Sequence, residues 1–233
     1  MNDADRVMIE GLRDVLPQAP VFQITFADDE ATYLNSHIGG SFYWPDTETP
    51  KLKFLAQINF AELPLNDILP DHGLLQFFIA DDDAYGLFSK NGSLVVYHEE
   101  IRDDGIEVLT SFRDSPIVCA CRMNFVLSKE SLSFSDYRFT DYFDEYGLLD
   151  SFVDAVYEAF SGTGSKVLGY PFFTQYDPRC DGIYRKYDTL LFQLDSDDNH
   201  VMWGDCGVGN FFIASQALKN GDFSDILYSW DCC

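Results

Sequence analysis

Two glutamines stand where an apolar residue is expected. Gln57 lies within Phe54-Leu-Ala-Gln-Ile-Asn59, and Gln193 within Leu190-Leu-Phe-Gln-Leu-Asp195. A buried amide must find hydrogen-bond partners or cost about 1–3 kcal/mol. Each glutamine therefore either faces a ligand or ties a loop to a sheet through backbone groups, and the tie is the plainer expectation. On the ligand reading, Gln57, Gln193, Asp195, Trp203 and Asp205 line a cleft. Asp195-Ser-Asp-Asp-Asn199 does not match an EF-hand loop, which needs Gly at position six and Glu at twelve. His200 and Cys206 stand there instead. The run reads as an acidic turn with local backbone hydrogen bonds. Asp195, Asp197 and Asp198 remain oxygen donors that a hard cation could use.

Trp203-Gly-Asp-Cys206-Gly207 resembles the nucleophile loop of chymotrypsin-like cysteine proteases, and His72 lies upstream in triad order. Val208 stands where those enzymes prefer glycine, so no catalytic residue is assigned. The six cysteines are Cys119, Cys121, Cys180, Cys206, Cys232 and Cys233. The polar N-terminus carries no export signal, so they read as free thiols in a cytoplasmic protein. Structural zinc would want paired C-x-x-C motifs or a Cys/His set. Cys119-x-Cys121 and Cys232-Cys233 lack that spacing, and His37, His72, His98 and His200 are scattered. No metal and no cofactor is expected. Gly162-Thr-Gly-Ser-Lys166 follows a helix rather than preceding one, which argues against a phosphate loop.

The elements that must carry these residues are mostly strands. Residues 21–26, 54–60, 74–79, 94–98, 189–194 and 210–214 are rich in Phe, Ile, Leu and Val, and Asn91-Gly92 signals a hairpin. Val7, Met8, Leu12 and Val15 predict a helix over about 4–16, stopped by Pro17. Leu148, Leu149, Phe152, Val153, Val156, Tyr157 and Phe160 predict an amphipathic helix over 148–160, ended by Ser161-Gly162.

The 233 residues hold 15 Lys+Arg against 39 Asp+Glu, a formal charge of −24. That excludes the basic footprint needed by nucleic acid or an anionic membrane face. An aromatic content of 16% excludes disorder. No stretch reaches the length of a membrane span. The charge favours a basic protein partner, with contacts at 28–30, 99–100, 103–104 and 141–145.

Two stretches echo one another. Gln57 is followed by Gly73 and then Phe77-Phe-Ile-Ala80, and Gln193 by Gly207 and then Phe211-Phe-Ile-Ala214. A Gly/Pro motif precedes each, Gly39-Gly-Ser-Phe-Tyr-Trp-Pro45 and Leu168-Gly-Tyr-Pro171. This predicts a duplicated β unit, with repeats at about 37–100 and 166–233.

These motifs, with Leu69-Pro-Asp-His-Gly73, Leu191-Phe-Gln-Leu-Asp-Ser-Asp197, Trp203-Gly-Asp205, Leu218 and Asp222-Phe223, resemble the YwqG-like family of bacterial domains of unknown function. The likeness spans residues 37–233. It departs in a shortened element before Trp44-Pro45 and in Gln175, which matches a family glutamine only loosely. The resemblance implies a mostly β, internally repeated cytosolic domain, and it carries no catalytic residue over. YwqG-like domains also look at home near toxin genes, where acidic immunity proteins neutralise basic nucleases.

The expectation is one β-rich α+β domain over 1–233, built on a duplicated antiparallel unit. Its role is binding or protein interaction without catalysis. The alternatives are an immunity-type inhibitor of a basic toxin, and a hydrolase or small-ligand protein with a cleft at the repeat interface.

Overall fold

Phenylalanine, leucine and isoleucine fill several strands on both faces, and those strands are covered on both sides as a result. The computed structural model describes residues 3–27, 29, 31–87, 89, 91–111, 113–146, 152–197 and 199–233. Twelve strands are present among them. They are β1 (Gln18–Ala27), β2 (His37–Ile38), β3 (Phe42–Trp44), β4 (Lys53–Asn59), β5 (Leu74–Ile79) and β6 (Ser93–His98), then β7 (Ile106–Val108), β8 (Cys121–Ser131), β9 (Lys166–Leu168), β10 (Thr189–Asp195), β11 (Val208–Ile213) and β12 (Ile226–Asp231). The helices are α1 (Asp3–Val15), α2 (Phe139–Tyr146), α3 (Val153–Ala159) and α4 (Ser215–Lys219).

Ten strands form one antiparallel sheet in the order β12-β11-β10-β9-β1-β8-β2-β4-β5-β6, and β3 pairs with β7 separately. The sheet curls into a near-barrel. Phe77 on β5 stands 4.6 Å from Phe192 on β10 and 4.9 Å from Phe211 on β11, so strands far apart in the sheet face each other across the interior. Rings at this spacing add to the area they bury. The curl is fastened at its rim. Trp230 Nε1 donates to the Ala84 carbonyl at 2.6 Å, and the Tyr228 hydroxyl donates to the Tyr85 carbonyl at 2.9 Å.

Every side chain of β5 and of β11 is buried. Their inner faces meet the main core, while the outer faces pack on smaller clusters. Phe42, Phe54 and Phe78 form one such cluster with Trp44, and Phe173, Tyr187, Leu190 and Phe212 form another. Both β4–β5 and β10–β11 carry a register shift, at Leu55 and Leu191 respectively. An extra residue there bends the strand and sharpens its twist.

The helices α1, α2 and α3 cover a third outer cluster. Ile9, Leu12 and Leu16 meet Leu132, Phe139, Val156, Phe160 and Tyr170. The predicted N-terminal stripe is partly corrected. Val7 is 69% and Val15 40% exposed, and the buried positions beside Leu12 are Ile9 and Leu16. Of the predicted helix 148–160, residues 148–151 lie outside the described part, and α3 accounts for the rest. Gly162 takes φ +69°, where a Cβ would stand 2.7 Å from that of Ser133, so only glycine fits the turn out of α3.

Candidate functional site

The glutamine amides are consumed by backbone. Gln57 Nε2 donates to the carbonyls of Tyr33 (3.0 Å) and Asn35 (2.9 Å), and its Oε1 accepts from Gln76 Nε2 at 2.6 Å. Gln76 Nε2 also donates to the Tyr43 carbonyl. Gln193 Nε2 donates to the carbonyls of Gly162 (2.9 Å) and Gly164 (2.8 Å), and its Oε1 accepts from Phe172 N at 2.7 Å. Asn210 Nδ2 closes that network on the Phe172 carbonyl. All four side chains are fully buried. They fix the loops at 33–35 and 162–164 to the sheet.

The other three candidate ligand-site residues separate. Trp203 is completely buried, its ring lying on Gly209, where a Cβ would come within 2.3 Å of it. Asp205 and Cys206 are exposed in the turn before β11. Asp195, at the end of β10, accepts from Gly164 N at 2.6 Å. It lines a cavity of about 310 Å³ with Ser165, Asp197, His200 and Phe26. Burial raises the Asp195 carboxyl above the usual carboxylate range, against the Gly164 and Ser196 amides and Lys166. Gln57, Gln193, Trp203 and Asp205 are absent from its lining. His72, the would-be partner of Cys206, instead pairs with Asp71.

The acidic turn after β10 is organised by one residue. Asp197 Oδ1 accepts from the amides of Asn199, His200 and Val201, and its Oδ2 meets His200 Nδ1 at 2.7 Å. Burial would raise the Asp197 carboxyl, but these bonds outweigh it and hold it below its ordinary range. Asp198 lies outside the described residues.

A family model described as "Domain of unknown function (DUF1963)" matches residues 36–232. The chain belongs to the DUF1963 family. Comparison with curated proteins finds no match. The matched DUF1963 span opens at Ser36, so β1, although mid-sheet, lies ahead of it.

The structure of this DUF1963 chain also assembles groups that sequence reading did not join. Lys166 is wholly buried and meets both Glu130 oxygens at 3.0 and 3.1 Å. Burial pushes its ammonium down in pKa, while Glu130 pulls it up. The sequence shows a lysine before Val167-Leu168, but β9 is too short for its pattern to place Lys166 inside. Arg179, also fully buried, bonds Asp177 and Asp136 and covers the Phe212 ring at 4.2 Å. Finally, the Sγ atoms of Cys119 and Cys121 and a ring nitrogen of His200 lie within 4.8 Å of one another, a set able to hold a metal ion. Spacing rules missed it because His200 is remote from both cysteines in the chain.

The exposed surface around β3, β7 and the end of β6 is rich in acids. Asp46, Glu48, Glu99, Glu100, Asp103, Asp104 and Glu107 are all exposed around β3, β7 and the end of β6. Arg102 sits among them, held by Asp104 at 2.7 Å and near Asp46 at 3.8 Å. A groove of about 640 Å³ runs beside Trp44, between Asp46, Glu48 and Asp104. Ile101, Ile106 and Leu109 are exposed on the same segment. No helix among the described residues is long and apolar enough to cross a membrane.

Proposed function

We propose that this chain is a non-enzymatic protein-interaction domain of YwqG-like type, working in the cytoplasm and engaging a basic partner through the acidic face around Arg102. The observation that carries this reading is the seven exposed acids on the segments 46–48 and 99–107, two of them beside Arg102, with exposed Ile101, Ile106 and Leu109 on the second segment and just after it. Such a face suits a partner with alternating basic and apolar side chains, and it steers encounter through its charge. An immunity-type inhibitor of a basic toxin is the narrower form of the same proposal. Of the other predicted contact segments, residues 28 and 30 and the side chains of 143–145 lie outside the described part.

The proposal includes an internal duplication, and matched bonding supports it. β2, β4, β5 and β6 pair in the same order as β9, β10, β11 and β12. His37 faces Gln57 as Lys166 faces Gln193, and Gln57 faces Gln76 as Gln193 faces Asn210. Ser36 Oγ accepts from Asn59 N, and Ser165 Oγ from Asp195 N. Left-handed residues recur at 39–40 and 168–169. On this reading β1 and β8, paired mid-sheet, join the halves about a pseudo-twofold axis.

The test is charge reversal. A fluorescent Lys/Leu-rich peptide is titrated at low and high salt against the wild type, Glu99→Lys/Asp103→Lys, and Glu10→Lys/Asp14→Lys on α1. The proposal expects at least a tenfold loss of affinity in the first variant only, with salt weakening the wild type strongly. Equal losses in both variants, or no salt-sensitive binding, overturn it. The small-ligand reading keeps one observation, the raised Asp195 carboxyl lining the 310 Å³ cavity. A ligand there would lose binding in Asp195→Asn and keep it in both lysine variants.

A further inference from the structure

We propose that Cys119, Cys121 and His200 supply three ligands of a site for a thiophilic d¹⁰ cation, Zn²⁺ in the first instance. The inference stands apart from the acidic face and does not rest on it. Two sulfurs and one imidazole nitrogen are the donors that borderline-soft cations select. The three ligand atoms already lie within 4.8 Å of one another. Tetrahedral zinc with Zn–S of about 2.3 Å and Zn–N of about 2.0–2.1 Å needs edges of roughly 3.5–3.8 Å. A contraction of about 1 Å closes the site, within the reach of side-chain rotation.

The backbone brings the ligands together. Val118 N donates to the His200 carbonyl at 2.8 Å and Met202 N to the Pro116 carbonyl at 2.7 Å, with a bridge between Ile117 and Val201. Cys121 then opens β8 and pairs with Ile38 of β2, which fixes its direction. Cys119 Sγ lies 3.5 Å from the Asn199 carbonyl, on the side of the histidine.

The support behind the histidine is the arrangement a metal ligand requires. Asp197 Oδ2 accepts a hydrogen bond from His200 Nδ1 at 2.7 Å, which assigns the cation to Nε2 in this proposal. Asp197 is itself clamped by three amides of its own turn, so it holds the imidazole at a fixed place. The Phe26 ring, 5.0 Å from the imidazole, covers it further. Two thiolates balance the charge of a divalent ion at a site where Cys121 is only 3% exposed. Binding releases the thiol protons, so affinity falls as pH falls.

The test is cobalt substitution of fully reduced, metal-stripped full-length protein. One equivalent of Co²⁺ is expected to give thiolate-to-cobalt charge-transfer absorption and visible bands of tetrahedral intensity, both bleached by Zn²⁺. Cys232→Ser/Cys233→Ser should keep the spectrum. Cys119→Ser and His200→Gln, at half-exposed positions and checked for folding by circular dichroism, should lose it. Asp197→Asn should weaken binding about 10–100-fold. As an independent readout in the wild type, Zn²⁺ should slow alkylation of Cys119 and Cys121 while leaving exposed Cys180 unprotected. The proposal is overturned if the reduced protein shows no such spectrum, if the spectrum survives Cys119→Ser and His200→Gln, or if Zn²⁺ protects neither thiol.

Discussion

Gln193 on β10 repeats the bonding of Gln57 on β4. Each amide nitrogen donates to two carbonyls spaced two residues apart, Gly162 and Gly164 in one case and Tyr33 and Asn35 in the other. Each oxygen is also used, by Phe172 N and Gln76 Nε2. The sheet thereby grips one loop through β4 and β5 and another through β10.

That grip should be measurable. Gln57→Leu or Gln193→Leu preserves volume but orphans two carbonyls and one donor. Each substitution is expected to lower unfolding free energy by about 2–4 kcal/mol. Urea denaturation of the single variants checks this. A change below 1 kcal/mol would mean that the loops hold without the amides.

His37 gives the fold a pH dependence. Burial lowers its pKa from 6.5 to about 4, against the Gly39 carbonyl and Glu62, so the native imidazole is neutral. Between pH 6.5 and about 4 the unfolded chain binds the extra proton, so stability rises with pH there. The contribution is complete above pH 6.5 and falls by roughly 3 kcal/mol by pH 4. In His37→Asn, which can still reach the Gly39 carbonyl, the slope of unfolding free energy against pH should flatten across that window. An unchanged slope would assign the dependence to other groups.

Arg179 holds two buried carboxylates, Asp136 and Asp177, under Phe212. Arg179→Met should cost about 3–5 kcal/mol, because it leaves the buried Asp177 without its cation, while Asp136 keeps Arg138. Adding Asp177→Asn should recover part of the loss. Thermal melts of the single and double variants separate this from a packing effect, which the second substitution would not relieve.

Trp203 lies on Gly209, with no room for a methyl between them. Gly209→Ala should displace the indole and cost about 1–3 kcal/mol. The near-ultraviolet dichroism of tryptophan should change with it. Gly182→Ala, at a position with open space, is the matched control and should leave both unchanged.

The strands that were legible are β1, which alternates over 21–26, and those filled on both faces. β4, β5, β10 and β11 are near-continuous apolar runs, and the turn at Asn91-Gly92 announces β6. β8, the longest strand, was not anticipated. Arg122, Asn124, Ser128, Lys129 and Glu130 interrupt it, and its far half is exposed, with Val126 at 59%. β2 and β9 are too short to carry a period, and their strand character comes from neighbours on both sides. The glutamines could be singled out from the sequence, but their partners could not, because the carbonyls lie in loops without a pattern. Cys119, Cys121 and His200 were visible only as isolated residues. It is the pairing of 116–118 with 200–202 that joins them, and such pairing leaves no local spacing to read.

The rim fastening of Trp230 to Ala84 joins residues 146 positions apart. A ribosome delivers Ala84 and Tyr85 long before it delivers β12. Throughout that interval Phe77 of β5 waits for β10 and β11 to cover it, greasy and unshielded. Contacts this distant along the chain make assembly slow and leave the nascent polypeptide a client for chaperones.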